Sequence, residues 1–446
     1  MKKIFSFLIV FILNNFITIS KAENLLQIYK KAKENNFELN KYLIDRNIEL
    51  EKIKEVKSVL LPQFNLNNNY SYNNNYYNNN ITNSNETNVS LTLTQSILDM
   101  YSWNLLKIQK KIANISNVNL ETSSKKLILN TTISYFNILH AIEILSYKQQ
   151  QKKIAYKILN QTNNKFNIGL ITIHDLQNIQ SNYNTSVLEE IIAHNKLDNT
   201  LEELYKITGI FYQKFSSFDI NNLNIQNPKK LYVLIKYFKK NNRDLLSAYL
   251  NKDLALEKIY LFKTNYMPTI KIIASIGIIN SKNNTSNINK NLYKNNIKQN
   301  KISLNINLPL FINTKNNSQT QQAKYHLINT NHIIKNTQID LEKNIHTLFN
   351  DINASINNIN IYKTEVILNQ KYLKNIKTAY QIGSKNNTDI LLATNIVYTS
   401  QQKLLNSYYS YFINQLKLKS LLDILNENDL INLNKILGKS IIIDYK

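Results

Sequence analysis

The chain has 446 residues and a formal net charge of +24, from 54 lysines and arginines against 30 aspartates and glutamates. It contains no cysteine, which excludes disulfides and thiolate metal sites. The basic residues are spread along the chain rather than gathered in one stripe, so the charge does not predict nucleic-acid binding.

The first residues predict export. Two lysines precede a compact apolar run at 4–13, and Ser20 and Ala22 stand where a signal peptidase requires small residues. The run is too short to cross a bilayer about 30 Å thick as a helix, which disfavours the alternative of a retained anchor. No later stretch approaches the ~18 apolar residues of a membrane helix. The exported chain is therefore predicted to be periplasmic, secreted or inserted in a membrane as β-strands.

Glycine and proline, the residues that interrupt helices, are rare, with five and four occurrences. Neither occurs between Pro62 and Gly169, from 310 to 382, or from 384 to 437. Chains that avoid both residues for so long usually contain very long helices.

The sequence is internally repeated. The pair Asn35-Asn36 and the motif Glu-Lys-Ile at 51–53 recur unchanged 206 residues later, and the turn at Gly169 recurs at Gly383, 214 residues later. Repetition at a long, nearly constant offset predicts two structurally similar halves. The predicted organisation is a signal peptide at 1–22, a first structural repeat at 23–209, a linker at 210–230, a second structural repeat at 231–438 and a C-terminal end at 439–446.

Both halves are predicted to begin with the same elements. A helix comes first, at 24–57 and at 231–264, and ends before a proline. Two stretches with apolar residues at every second position follow, separated by an Asn-rich segment at 73–86 or 280–300. Period-two alternation predicts strands with one face in lipid or a core and the other in water. The Asn-rich segments are predicted to be solvated hairpin ends.

Each predicted hairpin precedes a helix of roughly 65–70 residues, which at ~1.5 Å per residue is ~100 Å long. In the second half Ile345, Ile352 and Ile359 mark a heptad pattern, which predicts a left-handed supercoil with a partner helix. A glycine then reverses the chain through the φ > 0 conformation, and a second helix runs back. These turns and return helices are Gly169 with 175–208 and Gly383 with 389–425.

Four strands per chain cannot close a membrane barrel, because ~8 strands are the practical minimum and an open edge in lipid leaves backbone groups without hydrogen bonds. Other copies must therefore complete the sheet, and three copies would supply twelve strands. A helix of ~100 Å is several times the bilayer thickness, so it must project into an aqueous space, here the periplasm. The predicted fold class is α+β: four membrane strands per protomer and long periplasmic helices.

Seven ordered segments carry a resemblance to a known family: 22–25, 60–63, 93–97, 127–131, 166–170, 353–356 and 413–416. They resemble the TolC-like outer membrane factor family of efflux and type I secretion channels along nearly all of the mature chain. The resemblance implies a homotrimer in the outer membrane, with a 12-stranded barrel, an α-helical tunnel extending into the periplasm and a mixed equatorial belt formed by the linker and the C-terminus.

The resemblance also implies how such a channel works. Substrates leave the periplasm passively after an inner-membrane transporter and a periplasmic adaptor (membrane fusion protein) hand them over. The barrel contacts outer-membrane lipid. The family implies no cofactor and no enzymatic activity, and its members serve small-molecule efflux, type I protein secretion or both; the sequence does not separate these.

A gate at the periplasmic helix tips is a further implication of the resemblance. The family's polar links map onto Asp175 with Tyr380 and Lys385, and a ring of carboxylates at the constriction maps onto Asp389. Lys385 stands where the family has arginine. Lysine keeps the charge but lacks the bidentate fork, so this link is expected to be weaker.

Two other gate features of the family are absent from this sequence. A second polar link falls on Ile158 and Lys377, and a second carboxylate ring falls on Leu392. The turns at Gly169 and Gly383 correspond to the tips that dock the adaptor.

Other interpretations compete with these. An aspartate that follows a glycine turn at a helix start, as Asp175 and Asp389 do, is commonly an N-cap. The alternative for the whole chain is an exported coiled-coil structural protein or adhesin without a pore, which two matched hairpins disfavour. No zinc-protease, phosphate-loop or nucleophile motif supports an enzyme.

Overall fold

The computed structural model describes residues 24–77, 80–218, 225–285, 293–310 and 314–442; the predicted signal peptide lies outside these ranges. The same order of helices and strands occurs twice. In chain order the elements are α1 Leu25–Asn35, α2 Phe37–Ser58, β1 Gln63–Tyr77, β2 Asn80–Leu98, α3 Met100–Asn167, α4 Ile173–Thr208, β3 Lys214–Phe218, α5 Leu231–Asn241, α6 Arg243–Thr264, β4 Thr269–Thr285, β5 Tyr293–Asn307, α7 Thr314–Gln381, α8 Asn387–Leu421, α9 Glu427–Ile436 and β6 Leu437–Ile442.

The first helix of each half is broken, so the prediction of single helices at 24–57 and 231–264 is wrong. Asn36 and Asn242 leave the helical conformation, with ψ of 113° and 130°. The Asn36 side chain accepts a hydrogen bond from the Leu39 N–H over 2.9 Å, so it starts the second helix. Asparagine breaks the helix because its amide bonds to neighbouring backbone in place of the helical ladder.

The long helices are confirmed. α3 and α7 each contain 68 residues. Both end at a glycine with positive φ, +73° at Gly169 and +80° at Gly383. At each end the residue after the glycine donates its N–H to the carbonyl five positions earlier, from Leu170 to Lys165 and from Ser384 to Ala379. This Schellman arrangement satisfies carbonyls that the helix leaves without partners.

Four of the strands, β1, β2, β4 and β5, lie in a compact unit formed by Tyr42–Leu120 and Asp244–Thr337. They form one antiparallel sheet in the order β1-β2-β4-β5. The prediction of solvated loops in the Asn-rich segments is wrong where the structure describes them: the β1–β2 ladder continues to the pair Tyr77 and Asn80. Because ladder hydrogen bonds are made by backbone groups, polar side chains extend a strand beyond its apolar part.

Among the described residues, the helical unit comprises 24–41, 121–218, 225–243 and 338–442. The predicted heptad residues Ile345, Ile352 and Ile359 of α7 are all buried here. β3, within the predicted linker at 210–230, pairs antiparallel with β6 near the C-terminal end of the described chain. Tyr135 fixes β3 to α3, since its hydroxyl donates to the Ser216 carbonyl and accepts from the Ser216 N–H, both over 3.0 Å.

Within the ranges that the structure describes, no helix is both long enough and apolar enough to cross a membrane.

Candidate functional site

One face of the four-stranded sheet is apolar and exposed. The register aligns Leu66 of β1 with Leu91 of β2 and Ile276 of β4 in one row. Leu66 is 73% exposed and Ile276 is 66% exposed. Neighbouring rows add further exposed apolar side chains to this face: Phe64, Tyr70, Tyr72, Val89, Ile278, Ile302, Leu304 and Ile306. An apolar face of this extent is typical of a surface that another apolar phase or chain covers.

The opposite face of the sheet is polar. A typical row contains Asn65, Thr92, Ser275 and Lys301, which the register aligns across all four strands. Alternation of an apolar outer face with a polar inner face is the pattern of strands that separate lipid from a water-filled interior.

The two outer strands leave the sheet open. Among the described residues, β1 pairs with β2 alone and β5 pairs with β4 alone. The strands are 15 to 19 residues long, so each open edge presents a long row of backbone donors and acceptors. Such an edge is a template for a strand of another chain.

The candidate constriction residue Asp389 lies in the first turn of α8. Its carboxylate accepts the Asn386 N–H over 3.0 Å, and the Asn386 side chain accepts the Asp389 N–H over 2.9 Å. Asp389 is thus the third helical residue of a capping box whose N-cap is Asn386, not the N-cap itself. Lys385 lies 3.6 Å from its carboxylate. The side chain of Asp389 remains about one third exposed, so its charge can reach solvent.

Asp175 has the equivalent position at the start of α4. Its N–H donates to the Thr172 hydroxyl over 3.2 Å, and that hydroxyl donates to the Asp175 carboxylate over 2.9 Å. Thr172 is the N-cap. In the described part of the chain no hydrogen bond joins Asp175 to Tyr380 or Lys385, so the structure does not bring these three predicted partners together within one copy.

Tyr380 bonds to a residue that the sequence did not indicate. Lys165, in the last turn of α3, donates to the Tyr380 hydroxyl over 3.0 Å. Its ammonium lies 4.9 Å from the centre of the Tyr380 ring. The two residues are 215 positions apart, and no periodicity or motif connects them.

Beneath the tips, α3, α4 and α8 share a buried apolar cluster: Ala155, Ile158, Leu159, Ile179 and Leu391. Ile158, where the family's second polar link falls, is part of this packing. The Asn387 amide adds a buried hydrogen bond to the Thr162 hydroxyl over 3.0 Å. Leu392, at the second carboxylate position, is 52% exposed.

The two turns carry exposed apolar side chains. Ile168 and Leu170 flank Gly169, and Ile382 precedes Gly383; all three side chains are more than two thirds exposed. A methyl group added at either glycine would meet no atom within 4 Å, so the glycines serve backbone conformation rather than packing.

Sequence reasoning also missed a half-buried acid in the helical unit. Glu143 of α3 accepts a hydrogen bond from the Tyr409 hydroxyl over 3.1 Å. Burial raises the pKa of Glu143 to about 7, and the hydrogen bond from Tyr409 opposes this rise. His140, one turn earlier, lies with its ring 4.9 Å from that of Tyr409, and burial lowers the pKa of His140.

No group of three or more histidine, aspartate and glutamate side chains is placed to hold a metal ion within the described ranges.

Comparison with known proteins identifies the family. The sequence profile of the family "Outer membrane efflux protein" matches residues 28–210 and 234–423. The chain is 41% identical over 442 residues to the outer membrane protein TolC of Salmonella enteritidis, which covers 99% of this chain and 90% of that protein. It is 40% identical over 445 residues to TolC of Escherichia coli K12, with the same coverage.

A solved structure shares the fold. The CmeC outer membrane channel of Campylobacter jejuni superposes with a TM-score of 0.76 and 18% identity, covering 93% of this chain and 90% of that one. The profile match spans most of the chain and the identity to TolC extends over nearly all of it. The chain therefore belongs to the family of outer membrane efflux proteins.

Proposed function

We propose that three copies of this chain form a passive channel through which substrates leave the periplasm, after an inner-membrane transporter and a periplasmic adaptor hand them over. The protein is an outer-membrane channel of the efflux and secretion class, extending into the periplasm. Trimer, adaptor and pump are the proposed finer features. The channel requires no catalytic residues and no cofactor, because the energy comes from the transporter.

The open sheet is the single observation that carries this proposal. The apolar face calls for a lipid environment. In lipid, each backbone group left unpaired on the two edge strands costs several kcal/mol, and the described part of one copy has no further strand to pair with them. Pairing β1 of one copy with β5 of the next satisfies both edges. Four strands per copy give twelve in a closed trimer, above the ~8 needed for a membrane barrel.

A gate at the helix tips is the second part of the proposal. Three Asp389 carboxylates around one axis would attract cations, as rings of acidic side chains do in cation channels. Lys385, 3.6 Å from the carboxylate in one copy, would moderate that field. Asp175, Tyr380 and Lys385 would hold the tips closed, with contacts between copies adding to those within one copy.

The turns are the proposed docking sites for the adaptor. The exposed side chains beside Gly169 and Gly383 give each tip a small apolar surface of the kind that a partner's helical tips can cover. The exposed Ile168 and Ile382 would make the contacts, and the glycines would fix the tightness of the turns.

Whether the protein forms a pore by itself can be tested directly, without the transporter or the adaptor. The purified protein is added to a planar lipid bilayer, and ion current is recorded. Stepwise conductance is expected, and it should be absent from heat-unfolded protein. A folded oligomer that inserts but passes no current would overturn the channel and favour the alternative of an exported coiled-coil structural protein or adhesin.

A further inference from the structure

The end of α7 has one polar connection to another helix. In the last three turns of α7, within the described residues, the single hydrogen bond to a different helix is that from Lys165 to Tyr380. Ile376 is buried and supplies apolar packing to the same segment. By contrast, α3, α4 and α8 share the buried cluster and the Asn387–Thr162 hydrogen bond. The Lys165–Tyr380 hydrogen bond is therefore the polar contact that connects the α7 end to a neighbouring helix.

The two distances from Lys165 to Tyr380 show which part of the tyrosine the ammonium contacts. Its Nζ lies 3.0 Å from the Tyr380 hydroxyl and 4.9 Å from the ring centre, so the ammonium is nearer the hydroxyl end than the face of the ring. The hydrogen bond is charge-assisted, since its donor is a cation. The ring adds a weaker attraction for the same charge. Lys165 has no carboxylate partner among the described residues, so Tyr380 is the group that its charge faces.

We propose that Lys165 is the residue that positions Tyr380 and holds the end of α7 against α3 in the resting channel. This inference rests on the proposed gate and names a contact within one copy that keeps it closed. It differs from the link expected between Asp175 and Tyr380, because Asp175 bonds to Thr172 and Tyr380 bonds to Lys165. Loss of the contact lets the α7 end move away from α3 and raises the resting conductance.

The test compares single and double variants in planar bilayers. Lys165→Gln removes the cation and Tyr380→Phe removes the hydroxyl but keeps the ring. Each is expected to raise the ratio of open to closed channels by roughly two- to tenfold per protomer, the factor for losing one net hydrogen bond, since both variants lose the bond from Lys165 to the Tyr380 hydroxyl. The double variant is expected to match the stronger single variant, because both substitutions break the same contact. Lys165→Arg keeps the charge and the donor, and should retain most of the closure.

Matched controls lie eight residues earlier on the same helices. Lys157→Gln on α3 and Tyr372→Phe on α7 change an exposed lysine and an exposed tyrosine with no hydrogen-bond partner among the described residues, and both should leave the conductance unchanged. Asp175→Asn combined with Tyr380→Phe should give additive effects, because, among the described residues, no hydrogen bond joins these side chains within one copy.

The outcomes separate this inference from the channel itself. If the wild-type protein conducts and either Lys165→Gln or Tyr380→Phe has the same resting conductance as wild type, the role of Lys165 is overturned. The channel function is then unaffected. Additive effects of Lys165→Gln and Tyr380→Phe overturn it as well, since the residues would then act through different contacts. Silent wild-type protein overturns the channel, and the inference with it.

Discussion

Asn36 and Asn242, 206 positions apart, make equivalent hydrogen bonds at the two helix breaks. The Asn36 amide donates to the Ile207 carbonyl over 3.1 Å, and the Asn242 amide donates to the Leu421 carbonyl over 2.8 Å. Both carbonyls belong to the last turn of a return helix, where the helix offers no N–H of its own. Each break thus caps the helix that returns from the tip.

Replacement of either asparagine should loosen the end of the helix that it caps. Asn36→Ala and Asn242→Ala are each expected to destabilise the protein by about 1–2 kcal/mol, because a partly buried carbonyl loses its donor. Thermal unfolding followed by circular dichroism measures the loss, and hydrogen exchange should accelerate near 204–209 or 418–422. Asn251→Ala, whose amide bonds only within its own helix turn, is the control. Melting temperatures equal to that of Asn251→Ala would show that these caps are unimportant.

The half-buried acid Glu143 predicts a pH dependence of stability. The folded protein holds the proton up to about pH 7, whereas a carboxyl in the unfolded chain releases it near the ordinary value of 4.5. Between these values the folded state binds more protons, so the contribution of Glu143 to stability falls as the pH rises from 4.5 to about 7. Glu143→Gln removes this loss. The variant should therefore gain melting temperature relative to wild type at pH 8, with a much smaller difference at pH 5.

The neighbouring His140 has the opposite effect in wild type. Burial lowers its pKa, so its contribution to stability is lost as the pH falls through the ordinary value near 6.5. His140 is present in both proteins, so its contribution cancels when the melting temperature of wild type is subtracted from that of Glu143→Gln at each pH. Glu202→Gln, an exposed acid on α4, is the control and should show no such pH trend. A difference between Glu143→Gln and wild type that does not change with pH would contradict the prediction.

Asp389 is predicted to set the ion selectivity. Asp389→Ala removes both the charge and the acceptor for the Asn386 N–H, whereas Asp389→Asn removes the charge alone. Both variants should show lower cation selectivity and weaker block by trivalent cations in planar bilayers, because the acidic ring is lost. Asp340→Asn, an exposed acid on α7, should behave as wild type. If Asp389→Asn keeps its selectivity and only Asp389→Ala changes, the residue caps α8 and does not line the constriction.

Asp175 is predicted to help hold the tips closed through its charge. Asp175→Ala and Asp175→Asn should both raise the conductance of the resting channel, because a cation of a neighbouring tip loses its carboxylate partner. Asparagine can still accept from the Thr172 hydroxyl, so the first turn of α4 remains capped. Wild-type conductance in both variants would place the closing contacts elsewhere, and a rise in Asp175→Ala alone would assign Asp175 to capping.

The long helices followed from local properties of the sequence. The absence of glycine and proline can be read from a short stretch of sequence, and so can the heptad pattern. The heptad residues Ile345, Ile352 and Ile359 are buried as expected. The glycine turns were predictable for the same reason, since positive φ at Gly169 and Gly383 is a property of one residue.

The strand ends and helix breaks were not predictable in the same way. The Asn-rich residues 73–77 have the composition of a loop, yet they pair with β2 because the ladder continues from an apolar part whose register is already fixed. The cap that the Asn36 amide forms at the end of α4 depends on the Ile207 carbonyl, which is 171 positions away. No local pattern contains that information.

The tip contacts show the same limit. Resemblance to the family placed Asp175, Tyr380, Lys385 and Asp389 in one region, but which side chains touch depends on the packing of separate helices. Lys165 carries no motif, and its contact with Tyr380 appears only when α3 and α7 are folded together. The sequence predicted a capping role for Asp389 at the start of α8. Asn386 is the N-cap, however, and Asp389 occupies the third helical position.

The central claim is that several copies of the chain share one β-sheet. The mass of the intact, detergent-solubilised oligomer tests this claim most directly. Native mass spectrometry of the detergent-solubilised protein should give a single species containing three chains, which falls apart only when the strands unfold. A folded single chain that is stable and monodisperse in water without detergent would show that β1 and β5 need no partner strands, and would contradict the account.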